Sequence, residues 1–111
     1  MSSLIDPNIY NALKESAGED FIGELVDTFL EDCPNLISQM RSAFAANDAE
    51  SFRRGAHSMK SNAATFGAME LSALAKELEA MARENNLDIG GRLEVMEEAF
   101  EKVRDELKSL R

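Results

Sequence analysis

The feature that most constrains the fold is a stripe of apolar residues at helical spacing in the first half of the chain. Its members recur at three- and four-residue steps: Ile22, Leu25, Val26, Phe29, Cys33, Leu36, Ile37, Met40 and Phe44. Such steps place side chains on one face of an α-helix that packs on a core. The stripe predicts a helix from Glu19 or Asp20 to about Ala46-Asn47. Pro34 should kink it, because proline lacks a backbone donor.

Capping residues predict two more helices around this one. Asp6-Pro7 suits an N-cap followed by the first position of a short helix, which runs to about Ser16 and ends at Gly18. Asp48 suits the N-cap of a third long helix, which stops at Gly67. No run with strand-like alternation is present, so the helical period holds along almost the whole chain.

Two further apolar stripes follow Gly67. The fourth helix, ending near Glu84-Asn85, carries Leu71, Leu74, Ala75, Leu78 and Ala82 on one face. The fifth helix, after the Gly90-Gly91 loop, carries Leu93, Met96, Phe100, Val103, Leu107 and Leu110. Short connections make successive helices antiparallel neighbours. We therefore predict an all-α fold: an antiparallel up-down four-helix bundle over about 20–110, with a short additional N-terminal helix, in a single domain of residues 1–111.

Composition excludes several classes of function. The net charge of −9 over 111 residues argues against binding to nucleic acid or to an anionic membrane. No apolar run approaches the length of a bilayer span, and no signal peptide is evident, so a cytoplasmic location is expected. A single Cys, Cys33, and a single His, His57, argue against a zinc site. We expect no cofactor or metal of the chain's own.

The only histidine is predicted to face solvent. On a helical wheel, the core face of the third helix is formed by Phe52, Met59, Ala63 and Phe66. His57 points roughly 160–170° away from the centre of that face. Five residues lie within about 60° of it: Arg53, Arg54, Lys60, Ser61 and Ala64. An incidental surface histidine without a role remains an alternative.

The surroundings of His57 favour a functional role. Ser61 and Ala64 have small side chains, which leave the ring accessible. A helix surface without a functional role more often carries long charged side chains at such positions. No acidic residue occurs between Ser51 and Met69, so the three basic residues of that window predict a basic patch. Such a patch suits a dianionic group or an acidic partner.

A carboxylate on the fourth helix is predicted to lie behind the ring. His57 is about ten residues before the turn at Gly67-Ala68 and Glu79 about eleven after it, so the helical rise places both at nearly one height. Glu79 would accept the Nδ1 proton of His57 and leave the Nε2 lone pair facing solvent. A solvated Glu79 without this contact is the alternative.

This arrangement suits phosphoryl transfer. An unprotonated Nε2 is a nucleophile, and Lys60, one turn further on, can pair with phosphoryl oxygens. The sequence has no glycine-rich phosphate loop and no GxxxxGK[ST] motif. The predicted activity is therefore to accept and donate a phosphoryl group without drawing it from ATP, so that the protein is a phosphocarrier and not a kinase.

The stretch from His57 to Ala68, HSMKSNAATFGA, resembles the signature of histidine-containing phosphotransfer (HPt) domains. That signature has a His, a Lys three later, a small residue at the fourth position and a glycine ten after the His. The similarity extends upstream through FLEDCPNLISQMRSAFAANDAESFRRGAH and downstream to Glu79, and covers roughly Asp20 to Leu110. Ser61 departs from the commonest residue, glycine.

The resemblance implies that His57 is phosphorylated, with Lys60 at the phosphate and Glu79 orienting the imidazole. The implied donor is the phospho-aspartate of a receiver domain, often in a hybrid sensor histidine kinase, and the acceptor is the receiver domain of a response regulator. Mg²⁺ would belong to the partner receiver. The surface expected to give access to the ring and to dock the partner comprises Arg53, Arg54, Ser61, Ala64, Gly67 and the flank of the second helix near Leu36 to Met40.

Three alternatives stay open at this point. The chain could be an acidic helical adaptor that binds a partner without phosphotransfer, or an HPt-like fold that only docks receivers. A hydrolase using Glu79 and His57 is less favoured, because the sequence offers no third catalytic group. The bundle is complete within one chain, so a monomer is expected.

Overall fold

The computed structural model describes residues 4–110, in which every regular element is an α-helix. The helices are α1 (Pro7–Ala17), α2 (Glu19–Ala45), α3 (Ala49–Thr65), α4 (Met69–Arg83) and α5 (Arg92–Leu110). The predicted all-helical class is confirmed. Within these residues, no helix is both long enough and apolar enough to cross a membrane.

Side-chain capping explains where α1 and α3 begin. The Asp6 side chain accepts a hydrogen bond from Asn8 N at 2.9 Å, and Pro7 follows at the first helical position. Asp48 accepts from Ser51 N at 3.1 Å in the same way. Gly18, with φ of 95°, ends α1 in a conformation that L side chains rarely adopt. Pro34 lies inside α2 on its exposed side, where the loss of one backbone donor is least costly.

The core takes apolar residues from all five helices, but two predicted members are wrong. Phe44 and Leu110 are 43% and 47% exposed. Phe44 lies in the last turn of α2, where Ala43 takes the buried position, because a helix of 3.6 residues per turn drifts away from a strict repeat. Leu110 is the final residue of α5, at the end of the helix that packs on α2 and α4.

Helix α3 lies between α2 and α4 and packs against both, so the exposed face that carries His57 is flanked by one helix on each side. On the α2 side the approach is close at Gly55, where an added Cβ would lie 2.6 Å from Met40 Cγ. On the α4 side, His57 meets Glu79 while Lys60 meets Ser72, so residue numbers rise on one helix as they fall on the other. Helices α3 and α4 are therefore antiparallel.

Candidate functional site

The imidazole of His57 projects from α3 towards solvent, with its side chain 56% exposed. On the opposite side of the same helix, Phe52, Met59 and Ala63 are fully buried. The core face anchors the helix, and the helical period therefore fixes the ring outward. This is the orientation that the helical wheel predicts.

Glu79 lies behind the ring and is buried, with its side chain only 3% exposed. Its Oε2 is 2.7 Å from His57 Nδ1, and its Oε1 accepts a hydrogen bond from Lys60 Nζ at 2.7 Å. The alternative of a solvated Glu79 is wrong. The carboxylate of Glu79 thus contacts both His57 and Lys60, the two side chains of α3 that the sequence predicts to act in phosphoryl transfer.

The protonation of this cluster follows from its contacts. The hydrogen bond from Lys60, supported by that from His57, lowers the pKa of Glu79 and outweighs the opposing effect of burial. An ionised carboxylate can only accept hydrogen bonds, so the proton between Glu79 and the ring belongs to His57 Nδ1. In the neutral ring, Nε2 then carries the lone pair.

Arg83 is a member of the cluster that the sequence analysis missed. Its guanidinium nitrogen lies 3.4 Å from Glu79 Oε2, the oxygen that also faces the ring. The side chain is 64% exposed, against 28% for Lys60. The spacing of four residues from Glu79 on one helix is a signal that could have identified it, because such residues are neighbours on the helix surface.

The predicted basic patch around His57 is only partly present. Arg53 and Arg54 both bond Glu50, at 2.7 Å and 3.3 Å, and Glu50 precedes the window that lacks acidic residues. The hydrogen bonds that Arg53 donates to the Glu50 carboxylate raise the pKa of Arg53. Both arginines thus share one carboxylate on α3, one turn away, which offsets only part of their combined charge. Within residues 4–110, the cations that contact the carboxylate behind the ring are Lys60 and Arg83.

Access to the ring is provided by small and polar side chains. Ser61 is exposed and Ala64 is half-buried. A groove between α2 and α3 opens beside the ring and is lined by Asp32, Asn35, Leu36, Gln39, His57, Ser58, Ser61 and Asn62. We refer to it below as the α2–α3 groove.

Two residues of the predicted partner surface lie elsewhere. Gly67 is buried, and a Cβ there would lie 3.0 Å from Asp6 O, so its role is to let the N-terminal segment approach the turn after α3. Met40 is buried against Gly55 and cannot line the surface. The prediction that these two residues are accessible to a partner is wrong.

The family of the chain is shown by comparison with known proteins. The Hpt domain model matches residues 24–111, and the chain therefore belongs to the Hpt domain family. It is a histidine phosphotransfer protein of two-component phosphorelay signalling, a class of phosphocarriers rather than kinases.

Among solved structures, the chain is similar to histidine-containing phosphotransfer protein B (HptB) from Pseudomonas aeruginosa PAO1, with a TM-score of 0.92 and 33% sequence identity. That similarity covers 98% of this chain and 95% of the other. A comparison with curated protein sequences finds no match.

Proposed function

We propose that His57 accepts a phosphoryl group from the phospho-aspartate of one receiver domain and passes it to the aspartate of another. The observation that carries this proposal is the pairing of an exposed imidazole with a buried carboxylate, Nδ1 to Oε2 at 2.7 Å. It supplies a nucleophilic nitrogen on the surface, where a second protein can reach it.

The proposed step needs no proton transfer. The Nε2 lone pair attacks phosphorus, an N–P bond forms, and the P–O bond to the aspartyl group breaks with its electron pair leaving on the carboxylate. Positive charge develops on the ring as the lone pair is used. Glu79 faces that charge through the Nδ1–H hydrogen bond and stabilises it. Transfer to the second receiver is the same step in reverse.

Lys60 and Arg83 are proposed to balance charge around the phosphoryl group. Both contact Glu79 in the unphosphorylated protein, at 2.7 Å and 3.4 Å. Transferred phosphoryl oxygens carry negative charge that neighbouring cations neutralise. The Mg²⁺ ion that this chemistry uses is proposed to come with the receiver domain, and the chain itself is proposed to act without a cofactor.

The finer arrangement is part of the same proposal. Helices α2 to α5 would form the antiparallel up-down bundle of a single domain, with α1 laid against it. The receiver would dock on the α2–α3 groove, whose lining is mostly polar, and over the small side chains of Ser61 and Ala64. The protein would act in the cytoplasm as a monomer.

The test is phosphotransfer from a receiver domain labelled with ³²P on its aspartate, in the presence of Mg²⁺. Wild type should take up label that is stable in base and lost in acid, as expected of a phosphohistidine. His57→Gln should take up none and should stay folded, because the ring is 56% exposed and Lys60 and Arg83 still pair with Glu79.

Receiver binding separates the proposed function from that of an adaptor. An adaptor would bind the receiver with equal affinity in wild type and His57→Gln and would take no label in either. Label on both proteins alike would place the phosphoryl group on another residue and overturn the proposal for His57.

A further inference from the structure

Ser72 is a buried polar residue on α4 that the proposed chemistry does not use. It is 8% exposed, and its Oγ donates a hydrogen bond of 3.0 Å to the backbone carbonyl of Lys60 on α3. A serine inside a helix commonly bonds the carbonyl four residues earlier in its own helix. Here the hydroxyl crosses to the neighbouring helix instead.

The acceptor of this bond belongs to the residue that also binds Glu79. Lys60 is therefore held to α4 at two points: its carbonyl by Ser72 and its ammonium by Glu79 Oε1 at 2.7 Å. Ser72 and Glu79 are seven residues apart on α4, two turns on the same face. Two attachments on one face restrict both the sliding and the rotation of α4 against α3.

This restriction acts on the contact between Glu79 and the ring. Glu79 Oε2 must stay within hydrogen-bond distance of His57 Nδ1 to hold the proton there and leave Nε2 free. A displacement of about 1 Å would stretch that contact beyond the usual range of 2.7–3.2 Å. Reactive groups tolerate misplacement of that size poorly.

We infer that Ser72 is a positioning residue for phosphotransfer: its interhelical hydrogen bond sets the register of α4 that holds Glu79 on His57 Nδ1. The inference rests on the proposed function of His57 for its effect on transfer. Its effect on the ring itself can be measured without any transfer.

The chain offers a matched control for the test. Thr65 Oγ1 donates to Ser61 O at 3.0 Å, the same type of bond and the same length as that of Ser72, but within α3. Ser72→Ala and Thr65→Ala each delete one hydroxyl-to-carbonyl hydrogen bond. Only the first deletes a bond between two helices.

The direct measurement is the ¹⁵N spectrum of the imidazole nitrogens, which is unambiguous because the chain contains one histidine. Wild type and Thr65→Ala should show a ring protonated at Nδ1. Ser72→Ala should show a mixture with the Nε2–H form. The transfer rate of Ser72→Ala should fall by about threefold to tenfold, the range for loss of one neutral hydrogen bond, and that of Thr65→Ala should not change.

A wild-type ring spectrum in Ser72→Ala would overturn the inference, even if the melting temperature falls, because a structural role alone leaves the ring unchanged. If Ser72→Ala does not fold, Ser72→Cys replaces it, since a thiol keeps the size of the side chain but is a weak donor. Failure of wild type to take up phosphate would overturn the proposed function and leave the ring measurement as a separate test of Ser72.

Discussion

At the scale of single residues, the burial of Glu79 is the least expected feature, because a carboxylate ordinarily lies in solvent. Glutamate is almost never fully buried unless it is paired, and here each of its oxygens faces a donor on α3. A buried carboxylate of this kind depends on its partners, because leaving it unpaired in the interior is costly. The same contacts that make it tolerable also orient the ring.

We therefore expect Glu79→Gln to slow phosphotransfer and to lower stability. The amide keeps an acceptor for Nδ1–H but loses the charge that strengthens the bond, a difference of about 1–1.5 kcal/mol, or about tenfold in rate. The free energy of unfolding should fall by about 1–3 kcal/mol, because the half-buried Lys60 loses its anion. Urea unfolding and single-turnover transfer measure the two effects.

Glu77→Gln is the matched control for this change. Glu77 is on the same helix and also binds a cation at 2.7 Å, through Arg92 Nε, but its side chain is 51% exposed. Exposed ion pairs contribute at most about 1 kcal/mol, and Glu77 does not touch the ring. Equal losses of rate in the two variants would contradict the role of Glu79.

The lowered pKa of Glu79 also predicts how stability varies with pH. Its folded value lies below the ordinary 4.5, so the ionised form favours the folded state. That contribution is complete above the ordinary value and is lost as the pH falls through the lower folded value. Denaturation curves should show wild type losing stability in this acid range, and Glu79→Gln should lose less. Parallel losses in the two proteins would assign the acid sensitivity to other carboxyl groups.

At the scale of the elements, the packing of α2 on α3 depends on Gly55. Alanine there would favour the helix by about 1 kcal/mol, but its Cβ would lie 2.6 Å from the buried Met40 Cγ. Overpacking of a core typically costs about 1–3 kcal/mol, so after the gain in helix propensity Gly55→Ala should lower stability by up to about 2 kcal/mol. Thermal unfolding, with the helix content checked by circular dichroism, measures this.

The control for Gly55→Ala is Gly91→Ala, where an added Cβ would meet nothing within 4 Å and φ is not positive. That variant should unfold at or slightly above the wild-type temperature. An equal or greater stability of Gly55→Ala would show that α2 and α3 separate without cost at this point.

The same scale shows which features a sequence can predict. Helix starts such as those after Asp6 and Asp48 depend on residues close in sequence, and the structure agrees with them. Apolar periodicity predicts which face of α3 carries His57, because the residues of that one helix are enough to determine the direction of the side chain. The partner of Arg53 and Arg54 is Glu50, which lies on the same helix but directly precedes the stretch from Ser51 to Met69 that lacks acidic residues, so that stretch alone does not predict the pairing.

Contacts between elements were less predictable. Counting residues from the turn between α3 and α4 predicts that His57 and Glu79 lie at the same height. It does not predict that Glu79 is buried, because its burial depends on how the two helices are rotated about their axes. The bond from Ser72 to the carbonyl of Lys60 has no signature in the sequence. A serine that faces a neighbouring helix forms such a bond only when a carbonyl of that helix lies within reach, and the sequence does not show this. Likewise, only the position of the N-terminal segment explains why Gly67 is buried.

At the scale of the whole molecule, the two ends of the described chain are joined. The carboxylate of Glu106 on α5 accepts hydrogen bonds from Leu4 N at 3.2 Å and Ile5 N at 2.9 Å. A third bond, from Asp6 N to Gly67 O at 2.8 Å, holds the same segment to the turn between α3 and α4. The segment before α1 therefore links the last helix to the helix pair that carries the site.

This link should contribute stability without acting on the chemistry of the ring. Glu106→Ala removes the side-chain acceptor of two backbone donors, which should cost about 1–3 kcal/mol of unfolding free energy. Glu101→Ala, an exposed position on the same helix, should change it by less than about 0.5 kcal/mol. The ring nitrogens of His57 should give the wild-type spectrum in both variants, because its partners lie on α3 and α4. If Glu106→Ala shifted that spectrum, the N-terminal segment would be coupled to the register of α4, and the site could not be treated as a property of two helices alone.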